Sequence, residues 1–378
     1  MNLRLGAFGR QESTAAVILA TFTEGCFAFD NRTQFSQGNA SYLTYAAASI
    51  LSLLLFEMTV AAIRRRRGND LYSLIGPSKS KALLAVPLLL ALLLAAMQPM
   101  EHFLLTVTQY VFVEAKQTSV CLYALPCLLL LTALGAETIV RTSRIFLPML
   151  TISLLSALLL ALPQYRTYRL FPLPTGAPFS LLAETVRTVF RTFLPLLALL
   201  CIWEGTQTVD AMRFSGRLGA PVGGSMTVLA LLGLGLSFPY AQLKEMPAPF
   251  YRLLVEVRTE NPTMRLDRAT LFLWMTVALL SSAFYLYAAC VLFAKTFAVR
   301  DIRPLAFLMS ALAVTLILIL YYDSETTHAV LRALYRYAWM PAVLPVPLLW
   351  IHRERRSLSC ACGSHSLCLC CCYAAACR

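Results

Sequence analysis

The chain has 378 residues, of which 58% are hydrophobic and 13% charged, with a mean hydropathy of +0.68. So much apolar surface, arranged in long runs without amphipathic period, excludes a soluble fold and predicts an all-α polytopic membrane protein with no room for a soluble domain. The net charge of +13 would suit nucleic acid, but the basic residues cluster between apolar runs and read as topology signals, so a nucleic-acid partner is excluded.

Ten spans are expected, at residues 13–29, 41–63, 82–113, 119–136, 138–162, 186–209, 223–242, 268–294, 304–321 and 332–351. The first ends in Phe-Asp without a small-residue cleavage site, so it is expected to stay as a helix. Arg64 to Arg67, directly after span two, form the strongest orientation signal. With that cluster inside, both termini are inside, and so are more than half of the 32 basic residues. Glu57, just before the cluster, is expected to pair with Arg64 or another cation. Span three exceeds a simple crossing of about 20 residues and is expected to tilt or to extend past the membrane. Within it, Glu101 and His102 are expected at the outer interface, the alternative being a proton relay or a ligand contact. Spans four and five are separated only by a tight turn near Glu137, and span seven and the loop after it look short.

Glu24 lies about eleven residues into span one, roughly 16 Å along the helix, where a carboxylate costs at least about 2.5 kcal/mol. The only other Glu-Gly dipeptide is Glu204-Gly205 in span six, at a comparable distance from that span's start. If ten spans form two inverted halves, spans one and six are equivalents, and interrupted helices at matching places point to a transporter binding site. The two pairs are therefore expected to break their helices and to face each other across a central cavity. Thr23, Glu24 and Gly25 with Glu204, Gly205 and Thr206 are the candidate ligand-binding residues. Gln98 of span three and Tyr285 and Tyr287 of span eight join them, because polar groups at mid-span need partners. The alternative for each is structural: a glutamate paired with an arginine of a neighbouring span, or a tyrosine with an internal partner.

Residues 135–148 read GAETIVRTSRIFLP at the opening of span five. Further segments follow in order: DLYSLIG at 70–76, LFPLPTG at 170–176, PAPFYRLLVEV at 247–257, RLDRATLFLWMTVALLSSAFYLYAA at 265–289 and DIRPLAF at 301–307. In order and spacing these resemble the endospore germination permeases, the B subunits of nutrient germinant receptors, over most of residues 10–352. That family is similar to the amino acid–polyamine–organocation superfamily. The resemblance implies two inverted five-helix repeats with a pocket at broken helices 1 and 6, a place in the spore inner membrane, and A-type and C-type receptor subunits as partners. Span one departs from the pattern, because FTEGCFAFD carries one glycine and no proline.

Residues 1–356 are expected to form the membrane domain, and 357–378 a low-complexity cytoplasmic tail holding seven of the twelve cysteines. Cys360, Cys362, His365 and Cys368 are zinc-ligand types, but their spacing matches no zinc framework, so no metal is expected. No nucleophile elbow, P-loop or dinucleotide motif is found, so neither catalysis nor a cofactor is expected. The leading reading is a receptor subunit that binds a small nutrient such as an amino acid and triggers germination. The alternative is a proton-coupled secondary amino acid transporter working through Glu24 or Glu204.

Overall fold

The computed structural model describes residues 6–27, 38–65, 78–111, 116–171, 178–206, 208–246, 248–260, 266–299 and 301–322. Among these residues every regular element is helical. The long helices are α1 (Arg10–Cys26), α2 (Ser41–Arg65), α3 (Ser78–Thr106), α4 (Gln117–Leu134), α5 (Ala136–Leu160), α6 (Pro178–Ile202) and α7 (Val209–Ser237). Two short helices, α8 (Tyr240–Glu245) and α9 (Pro249–Glu260), lead into α10 (Leu266–Phe297) and α11 (Ile302–Tyr322). Among the described residues six helices are long and apolar enough to cross a membrane, and α4 and α11 carry shorter apolar stretches. The expected tenth span, 332–351, lies outside the described residues, as do the basic residues Arg66 and Arg67 and the cysteine-rich tail.

Local chemistry sets the helix ends. The Glu12 carboxylate accepts the Gly9 amide at 2.9 Å and caps the start of α1. Gly135 alone separates α4 from α5, with φ at 93°, a backbone region that glycine enters without a Cβ penalty. Span three is long, as expected: α3 contains Pro87 and Pro99 and continues into a π-helical turn at Val107–Val111. Spans six and seven both begin earlier than expected, and span seven is not short. Charged residues hid their starts. On α6, buried Glu184 pairs with Arg187 at 2.9 Å. On α7, Arg213 pairs with Glu57 of α2 at 2.6 Å, and Arg217 pairs with the same carboxylate. Glu57 is thus held by α7 rather than by Arg64, which pairs with Asp210.

The packing has the symmetry of an inverted repeat. Exchanging the halves relates α1 to α6, α2 to α7, α3 to α10 and α4 to α11. The extensive α1–α7 contact then maps onto the α2–α6 contact, and the α2–α7, α3–α10 and α4–α11 pairs map onto themselves. The α1–α7 seam is close because α7 presents glycine there. A Cβ on Gly219 would meet Val17 at 2.8 Å, and one on Gly223 would meet the Ile18 carbonyl at 2.8 Å. The span formed by α10 is almost wholly enclosed, whereas α5 leaves most of its side chains facing outward, toward lipid.

Candidate functional site

The end of the molecule that holds Phe8, called inner here after the orientation expected from the basic cluster at Arg64, is closed by contacts around the first residues. The Phe8 amide donates to the Gly205 carbonyl at 3.0 Å, and the Phe8 ring packs so tightly on Gly205 that a Cβ would collide with it. Gly205 belongs to a 3-10 turn, Trp203–Thr206, into which α6 unwinds. Beside it Lys295 of α10 reaches Glu204 at 2.8 Å. The Thr206 hydroxyl donates to the Trp203 carbonyl at 2.6 Å. These three candidates are therefore committed to closing the inner end.

Glu24 lies at the other end of α1, about 20 Å from Arg10 by helical rise. Helix α1 runs unbroken through Glu24 and Gly25 and stops at Cys26. The expectation that the two Glu-Gly pairs face each other is thus corrected. Each pair stands at the end of its helix, but α1 and α6 are antiparallel, so the ends lie toward opposite faces of the membrane. Gly25 also has a packing role: a Cβ there would come within 2.7 Å of the Tyr45 hydroxyl and closer still to the Thr227 methyl.

Around Glu24 the structure gathers polar groups from four helices. The glutamate is wholly buried, and neither carboxylate oxygen has a hydrogen-bond partner among the described residues. Arg191 of α6 is near enough for its charge to act on the carboxylate. The Tyr285 hydroxyl of α10 lies beside it, directed to the Ala20 carbonyl at 3.4 Å. Tyr45 of α2 donates to the Thr21 carbonyl at 3.0 Å. The Thr23 hydroxyl donates to the Leu19 carbonyl at 2.8 Å and lies 2.8 Å from the Ser281 hydroxyl. Thr21 Oγ1, Gln98 Oε1 and Ser282 Oγ are also buried without a hydrogen-bond partner among the described residues. Each such group costs about 1–3 kcal/mol, and a lone carboxylate more, so this density of unmet polarity makes the cluster the candidate site.

A small, partly open cleft adjoins this cluster on its outer side. Its walls are Phe27, capping α1; His102 and Phe103 of α3; Tyr251 of α9; and Trp274 and Ala278 of α10. Phe27 stacks on His102 with centroids 5.6 Å apart and meets Trp274 at 5.7 Å. Ala278 precedes Ser281 by three residues, and Gln98 precedes His102 by four. Cleft and cluster are thus separated by about one helical turn, roughly 5 Å. His102 lines this cleft instead of meeting lipid headgroups at the interface. The fourth wall is α9, where the sequence pointed to span six.

Of the sequence candidates, Thr23, Glu24 and Tyr285 meet in the cluster, while Gln98 is buried on α3. Tyr287 packs elsewhere, its ring 3.8 Å from the Cβ position of Gly135. Sequence reasoning passed over Arg191, Tyr45 and Trp274. Arg191 was detectable as a charge inside an apolar run.

Residues 48–328, well over half of the chain, match the family described as spore germination protein. The chain belongs to the spore germination protein family. Among curated proteins, none matches it. This family member has the transporter fold seen in several solved structures. Mhp1, a nucleobase-cation-symport-1 family transporter in a closed conformation with bromovinylhydantoin bound, superposes with a TM-score of 0.66 at 13% identity, over 93% of this chain and 80% of that one. The Eremococcus coleocola manganese transporter gives 0.59 at 15% identity, over 89% and 77%. A Na+-coupled sialic acid symporter gives 0.59 at 10%, over 90% and 79%. At these identities the likeness concerns the fold: an integral, multi-pass, permease-like membrane protein.

Proposed function

We propose that the chain is a membrane subunit of a spore nutrient-germinant receptor. It binds a small nutrient such as an amino acid at Glu24 and the cleft above it, and binding triggers germination through A-type and C-type partner subunits in the spore inner membrane. Family membership supports the germination role, and the permease fold supports a small-molecule site. The observation that carries the reading is the buried Glu24 carboxylate, without a hydrogen-bond partner among the described residues, one turn below an aromatic-walled cleft. A ligand acts only by favouring one conformation over another, so changes in the site should alter the nutrient concentration required.

The test uses spores carrying Glu24→Gln, which is near-isosteric, or Trp274→Phe, which keeps an aromatic ring but removes part of the indole wall. The nutrient dose–response should move to higher concentration, while a stimulus that bypasses receptors still works. An unchanged dose–response in both variants, with the protein at normal levels, would refute the assignment. Substitution of Gly25 or Gly205 by leucine is the weaker test, since both glycines are packed against neighbours and the variants would fail through folding.

A further inference from the structure

The inner closure is built from the beginning of the chain. Residues near a chain end fray unless something ties them down. Phe8 is nevertheless only 5% exposed and shares one apolar cluster with Leu200 and Trp203 at the end of α6. Its amide bonds the Gly205 carbonyl, just past the end of α6, where helical partners for carbonyls run out. Its ring covers Gly205, and only glycine leaves room for it. Gly6, at φ 74°, lies against Glu137 at the start of α5, where a Cβ would stand 2.7 Å from the carboxylate. Glu137 in turn pairs with Arg141 at 2.7 Å. One residue from Gly205, the Glu204–Lys295 pair joins two groups of helices. Helices α1, α2, α6 and α7 pack on one another, and so do α3, α4, α10 and α11. Groups packed internally and tied by a few polar contacts are able to shift as bodies. Residues 6–9 belong to no helix, so releasing them breaks the Phe8–Gly205 contacts and melts no span.

We propose that residues 6–9 are an autoinhibitory plug, latched by the Lys295–Glu204 pair, which holds the protein shut at its inner end at rest, and that the nutrient signal acts by releasing it. The trigger rests on the receptor reading, whereas the closure rests on the contacts themselves. The consequence has the opposite sign to that of the site variants. The nutrient concentration required rises as the responsive fraction of the protein falls. A variant that lowers the closed-to-open ratio tenfold therefore lowers the requirement about tenfold.

Two native cysteines report on the two ends. Cys201 is 6% exposed and lies three residues before Glu204, and Cys26 is 4% exposed at the outer end of α1. The purified full-length protein in lipid nanodiscs is treated with a maleimide, and labelling is read at each cysteine by peptide mass spectrometry. In the wild type both should label slowly. Phe8→Ala should label at Cys201 about tenfold faster or more, with Cys26 unchanged. Lys295→Glu should do the same, and adding Glu204→Lys should slow Cys201 again, because the swapped pair restores the attraction. A loss of packing alone is not rescued in this way. Spores carrying Phe8→Ala should germinate at about a tenth of the usual nutrient concentration, or with none. Cys201 labelling in Phe8→Ala equal to wild type would overturn the proposal, and so would an equal rise at Cys26, which marks unfolding and not opening. Faster Cys201 labelling with an unchanged nutrient dose–response would refute release of the plug as the signal. If Glu24→Gln leaves the dose–response unchanged while Phe8→Ala lowers it, the nutrient-site reading falls and the plug stands.

Discussion

Alanine at Gly223 and alanine at Gly235 differ only in what the new methyl group meets, although both lie in α7. At Gly223 the Cβ would stand 2.8 Å from the Ile18 carbonyl and 3.2 Å from Ile18 Cα, both backbone atoms of α1, and 2.8 Å from Thr21 Cβ. Backbone does not rotate aside, so α1 must move. At Gly235 the nearest atom is Leu170 Cδ2 at 3.3 Å, the far end of a flexible side chain. Replacing glycine by alanine inside a helix gains about 1 kcal/mol in propensity. Overpacking a filled interface costs about 1–3 kcal/mol. Gly223→Ala should therefore lose up to about 2 kcal/mol net, while Gly235→Ala gains up to about 1 kcal/mol. Thermal unfolding in one detergent at one heating rate should place Gly223→Ala below wild type and Gly235→Ala at or above it. Because Thr21 is one turn from Glu24, Gly223→Ala should also weaken nutrient sensitivity in spores. Equal melting of the two variants, or a more stable Gly223→Ala, would refute the claim that glycine at this seam sets the position of α1.

The Lys295–Glu204 pair links α10 to the turn after α6, so Lys295→Met and Glu204→Gln should each lower thermostability. The double variant should lose less than the sum, with a coupling above about 1 kcal/mol in a double-mutant cycle. Tyr45→Phe removes a buried hydrogen bond to the Thr21 carbonyl and should cost about 1 kcal/mol by the same melting assay, without loss of insertion. Cutting the chain after Arg356 removes only the tail at 357–378; insertion, checked by membrane fractionation, and the nutrient response, checked in spores, should both survive. Stoichiometric zinc bound by the tail would contradict this.

Long apolar runs leave a chain no choice but to satisfy its backbone in helices across a membrane, so the number and order of most spans, the tight α4–α5 turn and the length of span three were legible directly. The significance of Glu24 was legible too, because a carboxylate in an apolar run is costly wherever it ends up. Charge inside a span misled where the partner was distant in sequence. Glu184, Arg213 and Arg217 pushed the starts of spans six and seven too late, since nothing local announces that Arg213 and Arg217 will meet Glu57 across the helix bundle. The pairing of Glu24 with Glu204 failed for a geometric reason. Sequence gives distance along a helix but not its direction in space, and only the antiparallel packing of α1 and α6 puts one pair at the outer side and the other against Phe8 at the inner end. The same limit kept Arg191, Trp274 and His102 apart in the sequence reading. What brings them to Glu24 is the crossing of α1, α3, α6 and α10, a property of the assembled bundle that no single segment contains.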